Sequence, residues 1–94
     1  MRQLLNAELS FVEKFLGKLE AADCVGRHKS DEKIVALRLV ILKLQSILED
    51  EVIRPWLFGI KPELGNRRPI DLIKDDRIVE VLGAVDQLRA GSFA

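Results

Sequence analysis

The side chains best suited to catalysis in this 94-residue chain are its one cysteine, Cys24, and its one histidine, His28. They are close enough in sequence to act as nucleophile and base, but no oxyanion motif or orienting acid accompanies them. One Cys and one His cannot form a tetrahedral zinc site without carboxylates. The adjacent Asp75 and Asp76 are better explained as a helix cap than as a catalytic carboxylate pair. We therefore predict a protein that is not an enzyme, with no catalytic residue, no metal site and no cofactor.

Charge and hydropathy exclude several other classes. Lys plus Arg and Asp plus Glu both number 15, so the net charge is zero, which argues against a protein that coats DNA or RNA. No apolar run approaches the roughly 20 residues that a membrane-spanning helix needs. The N-terminal residues do not have the pattern of a signal peptide, and a single cysteine is typical of a reducing compartment. We expect a cytoplasmic protein that does not bind membranes.

Apolar periodicity predicts an all-α fold, a small bundle of about five helices, two long and three shorter. The first long helix is predicted over residues 3–22, with Gly17 inside it at a place where a neighbouring helix packs closely. Residues 23–29 are predicted to be a loop. Ser30 is a suitable N-cap for the second long helix, which is predicted to extend to residue 48.

The second long helix is the most apolar part of the chain. Of the 15 residues from 34 to 48, 11 are apolar. A helix that is apolar nearly all round is buried on several sides. One small chain cannot cover all of it, so we predict a central helix with one flank covered by another copy, in a homodimer.

The three shorter helices are predicted from their breakers and caps. One covers residues 50–58, where Pro55 requires either a late start or a kink. An irregular segment containing Pro and Gly follows at 59–68. Pro69 is expected to open a short helix through residue 73. Asp75 or Asp76 is expected to cap the last helix, which Gly91 ends near residue 90.

The most distinctive segment is 56–71, which combines irregular backbone with aromatic residues, prolines, glycines and two adjacent arginines. Its order is Trp56-Leu57, then Pro62-x-Leu64-Gly65-Asn66-Arg67-Arg68-Pro69-x-Asp71-Leu72-Ile73, followed by a helix containing Gly83 and by Gly91-x-Phe93-Ala94. This pattern resembles the toxin-binding domain of the Xre/MbcA/ParS antitoxins over about residues 31–94. Asn66 replaces the second glycine that is common in the family, and asparagine tolerates left-handed backbone angles better than most residues.

The resemblance implies an antitoxin of a bacterial type II toxin–antitoxin system. Its usual partner is a RES-type toxin that attacks NAD, and the antitoxin obstructs the toxin's active-site cleft largely with its C-terminal portion. The toxin-binding residues implied here are Arg67, Arg68, Asp71, Arg89, Gly91, Ser92, Phe93 and Ala94. The resemblance also implies a structural motif, which consists of Trp56, Pro62, Leu64, Gly65, Asn66, Pro69 and Gly83.

Residues 1–30, an N-terminal helix and loop, are shorter than the Xre helix-turn-helix domain that many family members carry. We therefore do not expect DNA binding through such a domain, and we assign residues 31–94 to the toxin-binding unit. Two alternatives remain open. One is a homodimeric protein-interaction module, and the other is an operon repressor of the same family without a RES toxin partner.

Overall fold

A computed structural model describes residues 2–26 and 31–91, and the side chains of residues 7–26 and 32–91. The helices are α1 (Arg2–Leu16), α2 (Lys18–Val25), α3 (Asp31–Gln45), α4 (Asp50–Phe58), α5 (Pro69–Lys74) and α6 (Ile78–Arg89), with one 3-10 turn at Pro62–Leu64. The described part contains no β-strand, only an isolated bridge between Lys61 and Arg67. The predicted all-α bundle is confirmed.

The core is built around α3, which contacts every other helix. Its buried side chains recur with the helical period and are Ile34, Leu37, Val40, Ile41 and Leu44. The other helices add apolar side chains to the same cluster, among them Val12, Leu16, Ile53, Leu57, Ile70, Leu72, Ile73, Val81 and Val85. The prediction that the second long helix is central is therefore correct.

The prediction of one continuous helix over residues 3–22 is wrong. Gly17 has a φ of 88° and divides the segment into α1 and α2, because this backbone angle is incompatible with an α-helix and available mainly to glycine. A Cβ at Gly17 would meet no described atom within 4 Å, so close helix packing does not explain this glycine. Because of this break, the Leu19 side chain points toward solvent, and the residue is 86% exposed.

Two further boundaries differ from prediction. Residues 23–25, predicted to be part of a loop, continue α2 to Val25, and Ser30 lies outside the described residues. Helix α3 ends at Gln45 rather than at residue 48, since the backbone N–H of Ser46 donates to the Lys43 carbonyl in a tighter turn.

Pro55 lies inside α4, which begins at Asp50 as predicted, so a late start is excluded. A proline at this position lacks the N–H that would otherwise donate to the Glu51 carbonyl. Glu51 is exposed in the first turn of the helix, where solvent can satisfy that carbonyl. The helix therefore tolerates Pro55, because the missing backbone hydrogen bond lies on the side of α4 that faces solvent.

Asp75 and Asp76 do not cap α6. Asp75 ends α5, Asp76 takes a positive φ of 62°, and Arg77 precedes α6 without a side-chain cap bond. The turn between the two helices uses both residues to reverse the chain, and aspartate accepts a left-handed backbone more readily than most residues. Gly91 follows α6 with a φ of 71°, as predicted for a C-terminal glycine.

Candidate functional site

The motif segment folds into a closed turn between α4 and α5. The backbone N–H of Lys61 donates to the Arg67 carbonyl at 3.0 Å, and the N–H of Asn66 donates to the Lys61 carbonyl at 3.0 Å. Gly65 has a φ of 70° and Asn66 a φ of 60°, both in the left-handed region. Glycine and asparagine are the residues that adopt this backbone most readily, and the turn presents Arg67 and Arg68 at a defined place.

Pro69 occupies the first turn of α5, as predicted, where a missing N–H is harmless. Leu64, Pro69 and Ile70 are buried and anchor the turn and the helix to the core. The α6 helix packs against the 62–64 turn, and Gly83 borders a shallow groove of about 230 Å³ between them. Of the structural motif residues, Leu64 and Gly83 therefore line the same groove, where the 62–64 turn packs against α6.

Arg68 and Asp71 form the best-defined ion pair of the segment. The guanidinium Nε lies 2.8 Å from one carboxylate oxygen and its NH2 group lies 2.9 Å from the other. The hydrogen bond from Arg68 holds the pKa of Asp71 below its usual range, and the same bond raises the pKa of Arg68. This two-bond geometry fixes both side chains against the start of α5.

Neighbouring charges join α5 to the rest of the bundle. Arg67 donates to the Asp75 carboxylate at 2.6 Å. Lys74 pairs with Asp23 of α2, and this bond raises the pKa of the lysine. Lys33 of α3 donates to the Lys74 carbonyl. Two of the predicted toxin-binding cations, Arg67 and Arg68, are therefore already engaged within the chain.

Three cations in and near this segment, Arg54, Lys61 and Arg68, lie over aromatic rings. The Lys61 ammonium is 5.0 Å from the Trp56 ring centroid, and the guanidinium groups of Arg54 and Arg68 are 4.8 and 5.7 Å from that of Phe58. We call Arg54, Phe58 and Arg68 the cation–aromatic face; the Lys61–Trp56 pair lies on the other flank of α4, because residues two positions apart do not share a helix face. Arg54 and Lys61 have no carboxylate within 4 Å in the described part of the chain, unlike Arg67 and Arg68.

Sequence reasoning did not select Arg54 and Lys61 as binding residues. The i, i+4 spacing of Arg54 and Phe58 on a predicted helix was a usable signal for their stacking. The approach of Lys61 to Trp56 depends on the 61–67 turn, which no spacing rule supplies. Ile60, which lies between α4 and the 61–67 turn, is an apolar residue that is 64% exposed.

The remaining predicted toxin-binding residues lie at the C-terminal end. Arg89 is exposed in the last turn of α6, and within the described residues no ion pair joins it to the Arg67–Asp71 region. Gly91 ends the helix, and the predicted residues Ser92, Phe93 and Ala94 lie outside the described residues.

Cys24, the candidate nucleophile, lies in α2. Cys24 is 1% exposed, and burial raises the pKa of its thiol to about 11, so at neutral pH it is protonated. His28 lies outside the described residues. Among the described residues no group of three His, Cys, Asp or Glu side chains is arranged to hold a metal ion. In the same ranges no helix is long and apolar enough to cross a membrane.

Comparison with known proteins connects the chain with an antitoxin. Over 73 residues, 78% of the chain, it is 26% identical to the mycobacterial cidal antitoxin MbcA of Mycobacterium bovis and of Mycobacterium tuberculosis. The match covers 65% of the length of those curated relatives. No protein-family profile matches the chain, and no solved structure matches it.

Proposed function

We propose that this chain is an antitoxin that binds a RES-type toxin and occludes the toxin's active site. The observation that carries the proposal is the 73-residue similarity to MbcA, an antitoxin by name. The segment that resembles the antitoxin toxin-binding domain supports it, because its turn and the first turn of α5 hold Arg67, Arg68 and Asp71 in fixed positions. The mechanism is steric, and the chain contributes no catalysis of its own.

The proposed contact surface joins the Arg67–Asp71 region, the cation–aromatic face and the C-terminal end. Arg54 and Lys61 have no internal carboxylate partner among the described residues, so they are available to acidic groups on a toxin. Cations stacked on aromatic rings keep a fixed direction, and less side-chain entropy is lost when they bind. Arg68 also lies over the Phe58 ring, and its two bonds to Asp71 fix it at the start of α5.

We further propose that the tail Ser92–Ala94 enters the toxin's cleft, with Phe93 as its apolar anchor. An aromatic side chain in a pocket is a common form of binding hot spot and contributes about 2 kcal/mol or more. Arg89 would add charge-assisted contacts at the rim, where such contacts contribute mainly specificity and association rate. The protein is proposed to act as a homodimer in the cytoplasm.

The test is growth rescue in cells that express a RES-type toxin encoded beside this gene. We expect the full chain to restore growth and to co-purify with the toxin, and a chain lacking 92–94 to rescue less at equal protein levels. Failure of the full chain to bind the toxin would contradict the antitoxin role and favour the interaction-module alternative. Equal rescue by both chains would remove only the tail from the mechanism.

The cation–aromatic face has its own matched variants. Arg54→Ala removes a stacked cation from this face, and we expect about a tenfold loss of toxin affinity. Lys14→Ala is the control, because Lys14 also lies over a ring, 5.9 Å from the Phe15 centroid, but on α1. Equal affinity of both variants for the toxin would exclude this face from the contact.

A further inference from the structure

Helix α3 leaves a strip of apolar side chains uncovered. Val35, Leu39 and Leu42 are 48%, 40% and 39% exposed. Their spacing of four and three residues places them on one face of the helix, opposite the buried Leu37, Ile41 and Leu44. We call these three exposed residues the α3 strip. Apolar patches mark interaction sites when several neighbouring side chains make them large, whereas single exposed apolar side chains are common.

The strip forms one side of a groove. Val35, Ala36 and Leu39 line it together with Glu32 and with Ile78 at the start of α6, and its volume is about 420 Å³. On the opposite flank, Arg38 lies beside Glu8 of α1, with 3.9 Å between its Nε and a carboxylate oxygen. The strip is therefore bounded by Ile78 of α6 on one side and by the Arg38–Glu8 pair on the other.

The two ends of the strip carry opposite charges. Glu32 lies seven residues before Leu39 and Lys43 four residues after it, so both lie on the same face as the strip. Neither has an ion-pair partner in the part of the chain that the structure describes. The surface is therefore apolar at its centre, acidic at one end and basic at the other.

We propose that the occupant of this strip is the α3 helix of a second copy, packed antiparallel about a two-fold axis near residue 38. With a rise of about 1.5 Å per residue, that axis brings Val35 opposite the partner's Leu42 and Glu32 opposite the partner's Lys43, each within one residue. Two-fold symmetry creates each pairing twice. The strip of one copy therefore matches the strip of the other in both its apolar side chains and its charges.

The size of the contact is consistent with a dimer of modest affinity. Specific interfaces bury about 800 Å² per partner, more than one short helix face supplies. Ile78 and the 77% exposed Val79 at the start of α6 can extend the contact beyond α3. The small side chains of Val35 and Ala36 allow the two helix axes to approach to about 8–10 Å. This interface deepens the homodimer of the proposed function and does not depend on the toxin.

The first test measures the mass of the full chain by light scattering at tens of micromolar without toxin. We expect twice the chain mass of 10.6 kDa for the wild-type protein and the monomer mass for Leu39→Glu. Val52→Glu is the control, because Val52 is 42% exposed on α4 and outside the strip. A monomeric wild-type chain, or a Leu39→Glu dimer, overturns the proposal, as does loss of the dimer in both variants when both retain the wild-type helical spectrum.

The second test examines the antiparallel arrangement. Glu32→Lys or Lys43→Glu alone places like charges together at two symmetric positions, and we expect each to weaken dimerisation about tenfold. The double exchange reverses both charges, and we expect it to restore the wild-type dissociation constant. A double variant as weak as the single ones overturns the arrangement. If Leu39→Glu abolishes toxin binding but not the dimer, the strip contacts the toxin and the proposed occupant is wrong.

Discussion

Gly65 is the residue on which the turn at 61–67 depends most directly. Its φ of 70° is strained for any β-branched residue, although the space where a Cβ would stand is open among the described atoms. We expect Gly65→Val to reduce the free energy of unfolding by about 1–3 kcal/mol through backbone strain alone. Urea denaturation followed by circular dichroism measures this change.

Asn66→Gly is the matched control for that substitution. Asn66 has a similar left-handed backbone, which glycine adopts without strain. We expect its free energy of unfolding to stay within about 0.5 kcal/mol of wild type, since no steric penalty is added. A Gly65→Val protein as stable as Asn66→Gly would mean that the turn is not the one described.

The ion pair of Arg68 and Asp71 makes the free energy of unfolding depend on pH in the acidic range. Because the pKa of Asp71 is lowered in the folded state, its contribution is full above the unfolded pKa of about 4 and is lost as pH falls through the lower folded pKa. Both side chains are more than a third exposed, so the contribution is below about 1 kcal/mol. The urea midpoints of wild type and Asp71→Asn should differ at pH 7 and converge as the pH falls through the lowered folded pKa of Asp71. A constant difference between the two proteins across this range would contradict the assignment.

At the scale of elements, α6 contains a glycine with no structural requirement. Gly83 is exposed in the middle of the helix, and a Cβ there would meet no described atom within 4 Å. We expect Gly83→Ala to raise the free energy of unfolding by about 0.5–1 kcal/mol, because alanine has the higher helix propensity. Thermal unfolding measures it, and an unchanged or lower melting temperature would show a contact that the fold does not reveal. A more stable variant with weaker toxin binding would indicate that the glycine keeps the groove beside the 62–64 turn open for the partner.

The predictable elements are those whose signals are local. Helix propensity, the φ that a residue can adopt and helix capping are all encoded by residues adjoining in sequence. These signals determine α4, the left-handed backbone of Gly65 and Asn66, and the start of α5 at Pro69. The break at Gly17 was not predicted because a glycine within a periodic apolar pattern can either continue a helix or end it. Only tertiary packing decides between these two outcomes.

The candidate site divides in the same way. The adjacency of Arg68 and Asp71 on the first turn of α5 follows from their i, i+3 spacing. The engagement of Arg67 with Asp75, of Lys74 with Asp23 and of Lys61 with Trp56 depends on how three turns close. Sequence therefore predicts a binding segment but cannot distinguish Arg67 and Arg68, which pair with carboxylates of their own chain, from Arg54 and Lys61, which have no carboxylate partner among the described residues.

At the scale of the whole molecule, a chain of 94 residues has a small core and a small stability margin. The core consists of apolar side chains from every helix, and no polar or charged residue among the described ones is buried. Specificity for one arrangement then depends on shape and on the charges that tie α5 to α2 and α3. Any partner that covers the α3 strip adds apolar burial that a single chain lacks.

This coupling between assembly and stability gives the last prediction. If two copies bury the α3 strip, unfolding of the dimer must separate them, and the melting temperature must rise with protein concentration. A tenfold increase, from about 10 to about 100 micromolar, adds about 0.7 kcal/mol per chain, which for a domain of this size raises the melting temperature by about 3–5 °C. Differential scanning calorimetry at the two concentrations measures the shift. The melting temperature of Leu39→Glu should be independent of concentration, whereas that of Val52→Glu should rise as in the wild type. A wild-type melting temperature that stays constant over this range would mean that the strip is exposed in the folded state and that the chain unfolds as a monomer.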